Sequence, residues 1–316
     1  MKIIDNKNFI LIKYNKFTYF KILFFFIIII PFFYIIIKYK NIRVCLCVIG
    51  KKENLYIKEY VEHYKNLGYN HIFIYDNNNI NEERFEDILS NYISKKYISI
   101  INYRGYRGRR DSPQSFAYYD CYGKNSKYYD WLSFFDIDEF LELKPSYMKI
   151  KNFLNNKKFD KCQNIKINWL MYSDNELLFY ENKPVKERFT SPCFNDSANA
   201  VIKSTVRGNL KINYWKYMNN PHSSYNNYIS CDPSGKIINS KAFYNVPINY
   251  DFAILRHYAT KTIEEYCIKI KRGRADQRVT LNYKTLIDKF NYFFLRNKKT
   301  KEKLNYINKI FNITIK

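Results

Sequence analysis

The chain has 316 residues, enough for one large α/β domain or two small ones with a well-filled core. Its formal charge of +24 accompanies a composition saturated in Lys, Asn, Ile, Tyr and Phe, and the lysines are scattered, so the charge reads as solvated surface and no nucleic-acid partner is expected. Seven cysteines show no Cys-x-x-Cys pair and no zinc spacing with the four histidines, and their odd count speaks against a complete disulfide framework while leaving room for one or two bridges.

Residues 1–16 form a short basic tail. Residues 22–37 carry no charge, and adding residues 17–20 across Lys21 brings the apolar stretch to the ~20 residues a bilayer span requires. Lys21 can snorkel, Pro31 is tolerated in a membrane helix, and no small-residue cleavage site follows before Arg43. An uncleaved single-pass anchor over 17–38 is therefore expected, with the remaining chain tethered at a membrane. Lysines on both flanks leave the orientation open; a eukaryotic secretory protein would be type II-like.

The soluble part alternates strand and helix. The continuous apolar run 43–49 ends at Gly50 and suits a buried parallel strand. Ile57, Tyr60, Val61, Tyr64 and Leu67 recur at helical spacing, with Asn54 as cap and Gly68 beyond the end. Residues 71–75 give a second strand ending at Asp76, a helix follows over 82–94, and residues 97–103 give a third strand. Ser112-Pro113 opens a helix to about Tyr122, and residues 131–135 form a fourth strand. Such alternation predicts a sheet flanked by helices that binds ligands beyond the carboxyl ends of its strands. No Gly-x-Gly-x-x-Gly or Gly-Lys-Ser/Thr loop occurs, which disfavours dinucleotide oxidoreductases and P-loop enzymes.

Chemistry concentrates at that edge. The run Trp131-Leu-Ser-Phe-Phe-Asp136-Ile-Asp138-Glu139 ends an apolar strand in an Asp-x-Asp, and in an extended segment that spacing puts both carboxylates on one face. Paired carboxylate oxygens suit Mn²⁺ or Mg²⁺. Glu53 and Asp76 fall at the same edge, Asp76 as a candidate for nucleotide hydroxyls or a base, or as a turn cap. The cluster Arg104-Gly-Tyr-Arg107-Gly-Arg109-Arg110 could hold an anion or be an exposed loop.

An ordered set of motifs resembles glycosyltransferase family 92 and its family-2-like relatives of the GT-A fold. It comprises Lys52-Glu53-Asn54-Leu-Tyr-Ile-Lys-Glu59-Tyr-Val-Glu-His63-Tyr with Leu67-Gly68 and Asp76, residues 114–121, and residues 131–140. Trp169 with Tyr172-Ser173, Glu187-Arg188-Phe189, Lys203-Ser204 with Arg207, His222, Arg256-His257-Tyr258 and Lys271-Arg272-Gly273 follow in the same order. The resemblance implies a GT-A-like mixed sheet over residues 41–275 and a hexosyltransferase. A sugar would pass from a nucleotide sugar, a UDP-sugar, to a hydroxyl of a glycan, glycoprotein or glycolipid. It implies Asp136, Asp138 and His257 at the metal, and Glu53, Asp76, Asp136, Arg207 and Arg272 around the donor. The base that deprotonates the acceptor is unassigned among Asp174, Glu187 and His222. The family's small residue after the tryptophan is replaced here by Tyr172, which leaves acceptor specificity open.

Residues 276–316, with Leu286, Ile287, Phe290, Phe293 and Phe294 at helical spacing, read as a helical packing appendage. Asn195-Asp-Ser197 and Asn312-Ile-Thr314 fit the N-glycosylation pattern, a cheap match in an Asn-rich chain. The competing readings are a catalytically degenerate transferase, a basic membrane-tethered binding protein, and a haloacid-dehalogenase-type phosphatase. Phe140, where the phosphatase pattern has Thr or Val, counts against the last.

Overall fold

Seven consecutive buried residues make β1 (Val44–Gly50) the centre of a sheet. In this computed structural model residues 41–105, 112–210, 221–222, 228–239, 243–273 and 281–315 are described. The tail, the anchor expected over 17–38 and Arg107, Arg109 and Arg110 lie outside them. Among the described residues no helix is long and apolar enough to cross a membrane.

After β1, helix α1 (Asn54–Leu67) buries Tyr56, Ile57, Tyr60, Val61 and Tyr64 on one face. It stops at Gly68, whose φ of 90° a side chain would resist. Its N-cap is Glu53, not the expected Asn54, and Glu53 makes no capping bond because its carboxylate is paired with Arg272. Next come β2 (His71–Asp76), α2 (Phe85–Ser94), β3 (Ile98–Asn102), α3 (Pro113–Asn125) and β4 (Trp131–Phe134). Ser112 caps α3 by accepting from the Ser115 amide, with Pro113 in the first turn. Strands β3, β2, β1 and β4 are parallel neighbours in that order.

The period of two sorts even this uniformly apolar β1. Val44, Leu46 and Val48 face a core shared with α1 and α2, whereas Cys45, Cys47 and Ile49 face one shared with α3. Cys47 and Cys121 form a disulfide that ties β1 to α3, and Cys45 stays free and buried.

The second half is mixed. It contains β5 (Glu139–Leu143), α4 (Ile150–Leu154), β6 (Asn164–Met171), α5 (Val185–Arg188), β7 (Ile202–Arg207), β8 (Ser230–Cys231), β9 (Ile237–Ile238) and β10 (Ala253–His257). From β4 the sheet continues β7-β6-β10-β5, with β7 antiparallel to β4 and β6, β10 parallel to β6, and β5 antiparallel to β10. Strands β8 and β9 extend the sheet beside β6, where a Cys162–Cys231 disulfide fastens them.

This order forces the sheet to curl. Four strand steps of ~4.8 Å, about 19 Å in a flat sheet, separate β4 from β5. Residues 135–138 alone connect the two strands, and part of that link is a tight turn that cannot reach so far. The sheet therefore bends until the ends of β4, β5 and β10 meet at one mouth.

Helices α6 (Ile263–Arg272), α7 (Tyr283–Phe294) and α8 (Lys301–Phe311) share an apolar cluster of Ile263, Tyr266, Ile270, Leu286, Phe290, Phe293 and Ile307. Residues 42–316 are one compact unit, so the expected appendage is continuous with the body.

Candidate functional site

The Asp-x-Asp lies in a turn, not in an extended segment. The Glu139 amide donates to the Asp136 carbonyl at 3.0 Å, and the Asp136 amide donates to the Glu139 carboxylate at 2.8 Å. Ile137, between the two aspartates, is buried against the end of β1. A Cβ on Gly50 would come within 2.4 Å of Ile137 Cδ1 and 2.8 Å of Phe85 Cζ, so the bare glycine makes room for it.

The aspartates consequently part company. Asp136 accepts from Lys203 Nζ at 2.6 Å, Tyr118 Oη at 2.9 Å and Gln114 Nε2 at 3.0 Å. Asp138 accepts from Lys269 Nζ at 2.7 Å and lies 3.5 Å from His257 Nε2. The β5–β10 register sets His257 directly across from Glu139, which Lys203 also approaches at 3.3 Å. Trp169 of β6 packs its ring 4.2 Å from the His257 ring.

Burial disfavours charge on all these groups, and their neighbours decide which keep it. Against burial, Lys203 holds Asp136 below the usual carboxylate range, and Lys269 with His257 holds Asp138 well below it. Glu139 loses that contest: burial, reinforced by Asp136 and Asp138 and only partly offset by Lys203, pushes it up to about 8. Burial lowers His257 despite Asp138, favouring the neutral imidazole that a metal requires.

Asp138, Glu139 and His257 are buried, and each offers a ligand atom within 4.8 Å of the others'. Among the described residues His257 Nδ1 has no hydrogen-bond partner, and Glu139 Oε1 has only the 3.3 Å ion pair with Lys203. Two carboxylates and an imidazole with spare capacity fit Mn²⁺ or Mg²⁺. Glu139, and not Asp136, groups with Asp138 and His257, and three donors occupy the Asp136 carboxylate.

Beside this group, Glu53 pairs with Arg272, whose guanidinium also donates to the Lys51 and Lys52 carbonyls at 2.6 and 2.9 Å. Asp76 lies at the same strand edge but is engaged in its own turn. One oxygen accepts from the Asn78 amide and side chain, and the other pairs with Arg104 at 2.8 Å.

The remaining expected residues are dispersed. Arg207 lies opposite Trp131, at the far end of β4, where it donates to the Phe159 and Cys162 carbonyls. Asp174 is buried in an ion pair with Lys303 of α8 at 2.6 Å. Glu187 is exposed on the short α5. His222 alone of the three base candidates reaches the cluster, its ring 5.4 Å from that of Trp169. Burial, aided by Lys203, lowers its pKa to about 3.

Sequence reasoning missed Glu139, Lys203 and Lys269, which the structure brings to this cluster. Lys203 stood inside a quoted motif. Nothing distinguished Lys269 among 53 lysines and arginines.

The chain is 26% identical over 112 residues to a glycosyltransferase family 92 protein of Oryza sativa subsp. japonica. That stretch is 35% of this chain and spans only 18% of the rice protein. Among solved structures, S. aureus TarS 1–349 in complex with UDP-GlcNAc is similar at a TM-score of 0.39 and 9% identity, over 86% of this chain and 73% of that one. Mannosyltransferase PcManGT from Pyrobaculum calidifontis, in complex with GDP-Man and Mn²⁺, is similar at 0.31 and 9% identity, over 42% and 37%. Neither likeness says which donor, metal or acceptor this chain uses. The sequence model of glycosyltransferase family 92 matches residues 40–309, nearly all of the folded unit, and the chain belongs to that family.

Proposed function

We propose that the protein is a metal-dependent hexosyltransferase of GT-A type that moves a sugar from a UDP-sugar to a hydroxyl of a glycan, glycoprotein or glycolipid. The observation that carries this reading is the convergence of Asp138, Glu139 and His257 at the carboxyl edge of the sheet of a family 92 chain. These three residues would hold Mn²⁺ or Mg²⁺, which when bound offsets the negative charge of the departing diphosphate. Asp136 acts one step back: with Lys203 it fixes the turn that carries Asp138 and Glu139.

Arg272, anchored by Glu53 and two backbone carbonyls, sits beside the metal ligands as a preset cation for the donor. His222, neutral at physiological pH and bonded through Nδ1 to the Ile202 carbonyl, would be a weak base toward an acceptor hydroxyl. Asp174, closed in its pair with Lys303, and Glu187, exposed on α5, lie outside this arrangement.

The two disulfides support an oxidising compartment. With the apolar stretch 17–38 as a single-pass anchor, that reading becomes a membrane-tethered, type II-like enzyme of a secretory lumen.

A nucleotide-sugar panel with the full chain, with and without Mn²⁺ or Mg²⁺, tests the proposal. Turnover of at least one UDP-sugar is expected, lost in EDTA and reduced about 10³-fold in Asp138→Ala. Equal turnover by wild type and Asp138→Ala, or no turnover of any nucleotide sugar, would sink it.

A further inference from the structure

Lys261 has no part in the chemistry described so far, yet its setting is costly. It lies between β10 and α6 and adopts a left-handed backbone with φ of 52°, a conformation uncommon for a residue with a long side chain. The next residue explains how the strain is held. Thr262 caps α6 by accepting from the Glu265 amide, and the Glu265 carboxylate reaches back to the Thr262 amide and hydroxyl.

The residue is 4% exposed, and its ammonium lies 4.3 Å from the centre of the Tyr56 ring. That ring is itself fixed: Tyr56 donates to Glu265 at 2.7 Å, and Arg188 clamps Glu265 with two bonds of 2.8 and 2.9 Å. Among the described residues the ammonium meets this aromatic face and no hydrogen-bond acceptor. Glu53, Asp138 and Glu265 lie near enough to act on its charge, but each is already paired, with Arg272, Lys269 and Arg188 respectively.

A methionine would cover Tyr56 as well without the penalty of desolvating a charge. A strained, buried lysine whose ammonium meets an aromatic face and no acceptor among the described residues, set near Lys269 and the metal-binding group, calls for an anionic ligand. We propose that Lys261 binds the diphosphate of the nucleotide-sugar donor, its ammonium donating to a phosphoryl oxygen. The inference deepens the transferase reading and rests on it for the identity of the anion. Burial lowers the Lys261 pKa, and an arriving diphosphate would reverse that by supplying the missing counter-charge.

Calorimetric titration of the full chain with UDP, GDP, uridine and inorganic pyrophosphate, in Mg²⁺, tests the assignment with wild type, Lys261→Met and Lys261→Arg. The expected result is a nucleoside diphosphate whose affinity falls about ten- to hundredfold in Lys261→Met. Uridine affinity should not change, the thermal midpoint should hold or rise, and Lys261→Arg should recover part of the loss. Should Lys261→Met not fold, Lys261→Gln serves the same comparison.

Unchanged diphosphate affinity in the uncharged variant would overturn the Lys261 assignment and leave the transferase reading standing. Equal loss of uridine and UDP binding would make Lys261 structural and overturn it as well. Wild type that binds pyrophosphate, but no nucleotide, through Lys261 would keep the anion site and remove the nucleotide donor. Binding of none of the four probes would remove both.

Discussion

Among the aspartate–lysine pairs of the described residues, Asp174–Lys303 and Asp138–Lys269 do different things. Asp174 and Lys303 join the body to α8 at 2.6 Å, with side chains 2% and 0% exposed. Backbone groups complete the pair: the Glu176 amide donates to Asp174, and Lys303 donates to the Lys298 carbonyl. Asp138 and Lys269 are equally close at 2.7 Å, but Lys269 is 27% exposed. Around it, among the described residues, stand His257 Nδ1 without a hydrogen-bond partner, Glu139 Oε1 with only the longer 3.3 Å contact to Lys203, and Lys261 over the Tyr56 ring. The first pair is closed, whereas the second opens onto groups with capacity left over. Burial of charge alone therefore does not mark a site. Unused hydrogen-bonding and ligand capacity beside it does.

Breaking the closed pair should have the largest effect on stability. Asp174→Ala strands the Lys303 charge in the core and should cost about 3–5 kcal/mol in urea unfolding, whereas Asp174→Leu with Lys303→Leu should recover most of it. If Asp174→Ala instead keeps wild-type stability and loses turnover, the two pairs have been assigned the wrong way round.

The open pair should behave differently. Lys269 is itself 27% exposed, and Lys269→Met leaves Asp138 near His257, so unfolding should change by about 1–2 kcal/mol. Mn²⁺ affinity, followed by electron paramagnetic resonance, should rise, because the competing ammonium is gone from Asp138. Weaker Mn²⁺ binding in this variant would mean that Lys269 assists the metal group and does not compete with it.

The smallest expected effect comes from the layer behind the site. His63 of α1 hydrogen-bonds the Leu141 carbonyl of β5 through Nε2 and meets Lys186 through Nδ1, so the fold holds it neutral. Burial, with Lys186, lowers its pKa to about 3 from 6.5. The folded state then binds fewer protons than the unfolded one. Stability from this histidine is complete above about 6.5 and declines as pH falls towards 3. Between pH 6.5 and 5.5 the loss should be on the order of 1 kcal/mol, and His63→Gln should flatten it. An unchanged pH profile in that variant would place the titration elsewhere.

The parallel half of the sheet was legible because each strand and helix announced itself locally. The apolar run of β1, the spacing of Ile57, Tyr60, Val61 and Tyr64, and the Ser112-Pro113 start all reappear in the fold. The second half was legible only as an ordered set of family motifs, since its strands pair across long and mostly antiparallel distances. Of the expected metal group, Asp138 and His257 come together while Asp136 is taken up by Lys203, Tyr118 and Gln114. Glu139 was overlooked because an extended backbone would have sent it to the opposite face from the two aspartates.

By itself the sequence determined the family, the order of the first elements and the segment where acidic groups gather. Apolar periodicity, caps and motif order are properties of neighbouring residues. Only the tertiary structure decided which acids keep spare ligand capacity, because that depends on cations supplied from β7 and α6. Lys203 closes Asp136, Lys269 shares Asp138 with His257, and Lys261 lies over the Tyr56 ring. The curl of the sheet brings them to one mouth, and no local pattern in the chain encodes that meeting.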